Sequence, residues 1–103
     1  MFWNSSISPK NIRRMERIFK GLANHWRLEI LLLVAKQPGI NVESIAKNLK
    51  GNFTTIAEHA RRLALAGLVV KKYQGQAVTH TLSPYGEKMV EILKKFINTE
   101  LKK

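Results

Sequence analysis

Leu28, Ile30, Leu31, Leu32, Leu33, Val34 and Ala35 leave Glu29 as the one polar residue in an eight-residue stretch. A helix that is apolar nearly all round cannot lie on a surface. It belongs at the centre of a core, with other elements packed around it. Asn24 is a suitable cap before this stretch, and Gln37-Pro38-Gly39 stops it, so a helix from about His25 to Lys36 is predicted. The longest unbroken apolar run, Ile30 to Ala35, is far shorter than the about 20 residues that a membrane span needs.

The elements that must surround it are legible from caps and spacing. Ser8-Pro9 is a cap followed by proline at the first helical position. Ile12, Met15, Phe19 and Leu22 follow at helical spacing with Ile18 beside them, while Arg13, Arg14 and Arg17 face elsewhere. This first helix ends near Gly21 or Leu22. Asn41 caps a short third helix in which Val42, Ile45, Ala46 and Leu49 match the i, i+3, i+4, i+7 template, and Lys50-Gly51 closes it. Asn52 caps a fourth helix running to Ala66. Its buried face is Ile56, Ala60, Leu63 and Gly67, with Phe53 and Ala64 at the edge and Gly67 as C-cap. Thr54, Glu58, Arg61 and Leu65 point the other way, flanked by Thr55, Ala57 and Arg62.

The period then changes. Leu68-Val69-Val70-Lys71-Lys72-Tyr73 is β-rich, Gln74-Gly75-Gln76 is a turn, and Val78-Thr79-His80-Thr81-Leu82 alternates, which together predict a hairpin. Ser83-Pro84 repeats the cap-plus-proline signal. A last helix runs to about Leu101, with a stripe of Met89, Ile92 or Leu93, Phe96, and Ile97 to Leu101. The fold class is therefore mainly α with a small β-hairpin, in the order α-α-α-α-β-β-α. Two short, tightly joined helices followed at once by a hairpin make a winged helix-turn-helix of five helices and a two-stranded wing. Residues 1–103 are expected to form one domain, since this length leaves no room for a second. Its parts would be an N-terminal dimerisation helix over 8–22, the helix-turn-helix and wing over 23–83, and a C-terminal dimerisation helix over 84–103.

Charge narrows the function. Lys and Arg number 18 against 7 acids, for a net charge of +11. So strong a field attracts polyanions, nucleic acid first and anionic membrane second, the alternative being solubility alone. The charge is uneven: Lys10, Arg13, Arg14, Arg17, Lys20 and Arg27 face only Glu16 in their segment, and Arg61, Arg62, Lys71 and Lys72 only Glu58 in theirs. There is no Cys and no Asp, which excludes disulfides, thiolate zinc sites and cysteine nucleophiles. His25, His59 and His80 lie on different elements without ligand spacing, and His59 borders a buried face as a packed, hydrogen-bonded residue would. Phosphate-loop, dinucleotide and nucleophile-elbow motifs are missing, and the serines are explained by tails, caps and turns. The chain is read as no enzyme, with no catalytic residue, cofactor or metal.

Leu22-Ala23-Asn24-His25-Trp26-Arg27-Leu28-Glu29-Ile30-Leu31, Ile45-Ala46-Lys47-Asn48-Leu49, Thr54 to Val69 without a gap, and Leu82-Ser83-Pro84-Tyr85-Gly86 resemble the successive motifs of ArsR/SmtB-type winged-helix repressors. The resemblance covers about Leu22 to Gly86. It implies a dimeric transcriptional regulator whose fourth helix enters the major groove while the hairpin touches backbone or minor groove. Metal-sensing members place cysteines near the third helix, where this chain has Asn41 and Glu43, or a His and carboxylate site on the last helix, which here lacks both His and Asp. The resemblance therefore argues against a metal effector. Phe53 and Glu58 stand where the family has polar or basic residues.

The expected DNA-binding residues are Asn52, Thr54, Thr55, Glu58, Arg61 and Arg62 on the fourth helix and Lys71, Lys72, Gln74, Gly75 and Gln76 on the wing. Threonines near a helix start can bond phosphate or base edges, and free amides around Asn52 can hold a phosphate. Glu58 can accept from a cytosine amino group, but pairing with Arg61 or Arg62 at i+3 and i+4 is favoured. The bland counterpart is a solvated helix face and an ordinary polar hairpin. The expected dimer interface is Ile12, Met15, Phe19, Met89, Ile92, Leu93, Phe96 and Ile97. These stripes could instead pack first helix on last within a monomer. The reading is a cytoplasmic homodimer that binds double-stranded DNA as a transcriptional repressor. Met1-Phe2-Trp3-Asn4 carries no secretory signal. The alternatives are a winged helix used for protein–protein interaction, which an apolar patch around Phe53 and Leu65 would favour, and a basic membrane-surface protein.

Overall fold

A computed structural model describes residues 7–101; the Met1 to Asn4 start, Lys102 and Lys103 lie outside them, as do the side chains of Glu100 and Leu101. The order is α1 (Pro9–Leu22), α2 (His25–Lys36), β1 (Ile40–Asn41), α3 (Val42–Leu49), α4 (Phe53–Leu65), β2 (Val69–Gln74), β3 (Ala77–Leu82) and α5 (Pro84–Leu101).

The caps act as their residue types dictate. Ser8 Oγ accepts from the Asn11 amide, Asn24 Oδ1 from Trp26 and Arg27, Asn41 Oδ1 from Ser44, and Ser83 Oγ from Gly86. At the α3–α4 turn the left-handed position falls on Lys50 (φ 56°) rather than on the neighbouring glycine. Its amide and that of Gly51 return to carbonyls at the end of α3. Gly67 is exposed just past the Ala66 C-cap of α4, and Ala66 takes the buried place expected for it.

α2 packs against α1, α3, α4, α5 and β3, as its all-apolar surface requires. Ile30, Leu31 and Val34 are fully buried, and Leu28, Leu32, Leu33 and Ala35 lie against the same cluster. Ile45 of α3, Ile56, Ala60 and Leu63 of α4, Leu68 and His80 of β3 are fully buried as well.

The sheet has three antiparallel strands in the order β1-β3-β2, one more than the hairpin expected. β1 pairs Ile40 with His80 and Asn41 with Thr79. Two residues are too short to show a period, so only the pairing reveals them as a strand. The hairpin register runs from Val69↔Leu82 to Gln74↔Ala77, leaving a two-residue loop of Gly75 and Gln76. Gly75 has φ +63° and Gln76 does not share the positive sign, the pattern of a type II′ turn with glycine at its first central position.

Ile18 and Leu22 of the α1 stripe are buried, but much of the stripes on α1 and α5 is not covered by the described residues. Ile12, Met15, Phe19, Ile92, Phe96 and Ile97 are exposed, Phe96 to 66%. Met89 departs from expectation: it is buried in the core beside Val90, and Leu93 is half-buried against the same cluster. Met89, Val90 and Leu93 lie in the first part of α5 and face the core, whereas Phe96 and Ile97, seven residues after Met89 and Val90, continue the same side of the helix where the core no longer covers it, and Ile92 borders it. The stripe is thus continuous, and the core covers only its first part.

His80 is completely buried. Its Nδ1 lies 3.2 Å from the Ile40 carbonyl oxygen. Since a carbonyl only accepts, Nδ1 carries the proton and Nε2 is the bare acceptor, buried without a partner. A second proton would sit on Nε2 with nothing to receive it. Burial pushes the His80 pKa down; the Ile40 bond opposes this, and Lys71 across the hairpin reinforces it. The unfolded chain therefore takes up the proton first, as pH falls through about 6.5, and stability is lost below that point. The melting temperature is expected to be level above about pH 7 and to drop toward pH 5. His80→Gln should flatten the drop without abolishing it, because His59 is also shifted down. Equal pH dependence in both proteins would refute the assignment.

Candidate nucleic-acid interface

α4 presents the outward side that its spacing predicts. Thr54, Thr55, Arg61 and Arg62 are exposed, while Ile56, Ala60 and Leu63 face the core. The helix start differs from expectation in one respect. Asn52 Oδ1 already accepts from the Thr54 and Thr55 amides at 2.9 and 3.2 Å, and the Asn52 carbonyl accepts from Ile56. Two of the amides expected to be free for a phosphate, those of Thr54 and Thr55, are thus occupied, and the threonine hydroxyls join the remaining amides as the polar groups this turn offers.

Glu58 pairs with both arginines. Arg61 Nε and Nη2 donate to its two carboxylate oxygens at 3.0 and 2.9 Å, and Arg62 Nε donates to Oε2 at 3.0 Å. The Arg61 bond first and the Arg62 bond second hold the Glu58 carboxyl far below the usual carboxylate range, down to about 2. Mild acid therefore does not release the pair. Glu58 fixes both guanidinium groups on one side of α4 and offsets part of their charge. Glu58→Gln is expected to bind non-specific duplex DNA roughly tenfold more tightly and to steepen the salt dependence by one to two phosphate equivalents, each about 0.9 in log–log slope. Fluorescence anisotropy across a salt series measures both; unchanged or weaker binding would mean that the carboxylate does not oppose DNA.

On the wing, Gln74, Gly75 and Gln76 are exposed at the tip. Lys71 and Lys72 are consecutive on β2 and so project to opposite faces. Lys71 pairs with His80 and is half-buried, whereas Lys72 pairs with Thr79 and is exposed. The two lysines do not form one patch at the strand itself.

A cationic cleft also appears that no single segment of the sequence announces. α1 lies along the C-terminal half of α4, where a methyl added at Gly21 would overlap the Ala66 side chain. Arg17 and Lys20 of α1, Arg27 of α2, and Arg61 and Arg62 of α4 thereby line one open cleft of about 380 Å³. Arg27 Nη1 lies 3.5 Å from His59 Nδ1, and Arg27 Nε is buried without a partner. Burial, then Arg27 and Arg62, push the His59 pKa down, so this half-buried, hydrogen-bonded histidine is neutral at pH 7. The run of cations from Lys10 to Arg27 was the visible signal. Its juxtaposition with α4 is a product of packing.

Among the described residues no group of three or more His, Cys, Asp or Glu could hold a metal ion; His25 instead lies 3.8 Å from the Glu29 carboxylate. No helix among the described residues is long and apolar enough to cross a membrane.

A helix pair joined by a tight turn, followed directly by an antiparallel hairpin and flanked by two further helices, defines this chain as a winged helix-turn-helix protein. Compared by sequence, it matches no protein-family model and no curated protein. Compared by structure, it is similar to Mb0332 from Mycobacterium bovis, described as a homodimeric winged helix-turn-helix DNA-binding domain and a possible ArsR-family transcriptional regulator. That likeness has a TM-score of 0.82 and 26% identity over 98% of this chain and 94% of that one. It is also similar to HlyU from Vibrio cholerae, with a TM-score of 0.78 and 27% identity over 86% of this chain and 97% of that one. The transcriptional repressor PagR of Bacillus anthracis shares the fold at a TM-score of 0.76 and 21% identity, over 84% and 99%. The ArsR-type resemblance carried by the Leu22 to Gly86 motifs is thus met by a solved structure that aligns over nearly the whole chain.

Proposed function

We propose that this protein is a DNA-binding transcriptional regulator that acts as a homodimer, sets α4 in the major groove and represses by occupying a pseudo-palindromic operator. The observation that carries the reading is the outward side of α4: Thr54 and Thr55 at its start, and Arg61 and Arg62 continuing into the cationic cleft. Threonines placed there suit base edges or phosphates, and the arginines suit the backbone. The description of Mb0332 as a homodimeric DNA-binding domain supports the same reading. The uncovered apolar sides of α1 and α5 supply a self-complementary surface for the second copy.

Use as a protein-interaction module is less well supported. Phe53 and Leu65 are both exposed, but they lie twelve positions apart on the helix, about 18 Å, with Thr54, Glu58 and Arg61 between. They do not form the contiguous apolar patch that a protein partner requires. Selection from a random duplex library tests the proposal. The expected product is an inverted repeat whose half-sites lie one helical turn apart, roughly 34 Å, bound more weakly as salt rises. Failure to enrich any sequence, with binding indifferent to salt, would refute it.

A further inference from the structure

We infer that Phe53 is a specificity-determining residue that packs against the 5-methyl group of a thymine in the major groove. This rests on the reading of α4 as the recognition helix. Phe53 is the first residue of α4, and 52% of its surface is exposed. It takes no part in the core, although Ile56, three residues on, is fully buried. The Asn52 cap fixes the backbone at this point, so Phe53 is held at the leading end of the helix.

That end is where recognition helices meet base edges. Leaving half of a phenylalanine in water forgoes favourable burial, and nothing among the described residues covers that half. Its immediate neighbours are polar: Asn52, Thr54 and Thr55 are all exposed. The nearest exposed large apolar residue on the same helix is Leu65, at the far end. One aromatic ring in a polar setting is too small for a protein-docking patch. It is the right size for a single methyl group. Of the groups that base pairs present in the major groove, the thymine methyl is the apolar one, and an aromatic side chain is a suitable partner for it. The flanking threonines can then bond the adjacent base edges or phosphates.

The experiment uses the full chain and a duplex enriched from a random library. Each thymine of that duplex is replaced in turn by uracil, which removes the methyl and leaves every hydrogen-bonding group in place. At one symmetric pair of positions the wild-type protein is expected to lose about fourfold in affinity per half-site, the factor that burial of one methyl-sized group represents. Phe53→Ser is expected to bind the thymine duplex more weakly by a similar factor and to show no further loss with uracil, while Phe53→Leu keeps the sensitivity. Phe53→Ser should melt at the wild-type temperature, because the side chain is exposed, so lost affinity is not lost folding. Wild-type protein indifferent to uracil at every thymine would overturn the inference while leaving α4 as a DNA-binding helix. Uracil sensitivity that persists in Phe53→Ser would also overturn it. A library in which no duplex is enriched would remove both this inference and the reading beneath it.

Discussion

Replacing Arg61, Arg62, Lys71 and Lys72 together by Ala is expected to weaken duplex DNA binding by two to three decades at about 0.1 M salt and to flatten its salt dependence. Each phosphate neutralised contributes about 0.9 to the slope of log K against log salt. The two arginines lie on one side of α4, whereas Lys71 and Lys72 project to opposite faces of β2. Three of the four are therefore counted as phosphate contacts, which lowers the slope by about 2.7 per protomer. The variant also leaves Glu58 without its two partners, and its charge then faces the phosphates unopposed. All four side chains lie outside the buried core, so the melting temperature should hardly move. Titration by anisotropy between about 50 and 300 mM salt measures the slope. An unchanged affinity and slope would mean that DNA is held elsewhere, and the Arg17, Lys20 and Arg27 side of the cleft would be the surface to replace next.

Phe96→Glu is expected to separate the subunits and to abolish preferential binding to an inverted repeat. Phe96 is 66% exposed and sits between Ile92 and Ile97, both also exposed. In one chain a glutamate there faces water and costs little. In an isologous dimer each copy would bring an unpaired carboxylate into an apolar interface, which is strongly unfavourable. Sedimentation at micromolar concentration should show a shift from twice 11.8 kDa to 11.8 kDa. Binding to the inverted repeat should fall to the level of a single half-site, by roughly a thousandfold or more. Wild-type protein that sediments at 11.8 kDa would refute the dimer, and Phe96→Glu would then leave DNA binding as it was.

How much of this was legible depends on whether a feature is local. The five capped helix starts at Ser8, Asn24, Asn41, Asn52 and Ser83 were readable, because a cap and the apolar spacing after it lie within a few residues. β1 was not, because pairing with His80 and Thr79 across the chain is what makes it a strand. Met89 was misplaced because spacing identifies an apolar side of a helix without saying whether core or partner covers it. The opposite projection of Lys71 and Lys72 follows from the two-residue period of a strand and could have been drawn from the sequence. The Glu58 pairing was readable from i+3 and i+4 spacing. The cleft was not, since it requires α1 to lie along α4 and bring Arg17 and Lys20 to the side of Arg61 and Arg62.

The shortest strand has the widest mechanical consequence. Asn41 is at once the last residue of β1, paired with Thr79, and the residue whose side chain caps α3. The Gly39 amide reaches the His80 carbonyl, and His80 reaches back to Ile40, so the entry to the helix pair is riveted to the middle of the hairpin. No hinge is left between the helix pair and the wing. In the proposed dimer the two would be expected to turn together, and the distance between the two recognition helices would then be set through the apolar surfaces of α1 and α5.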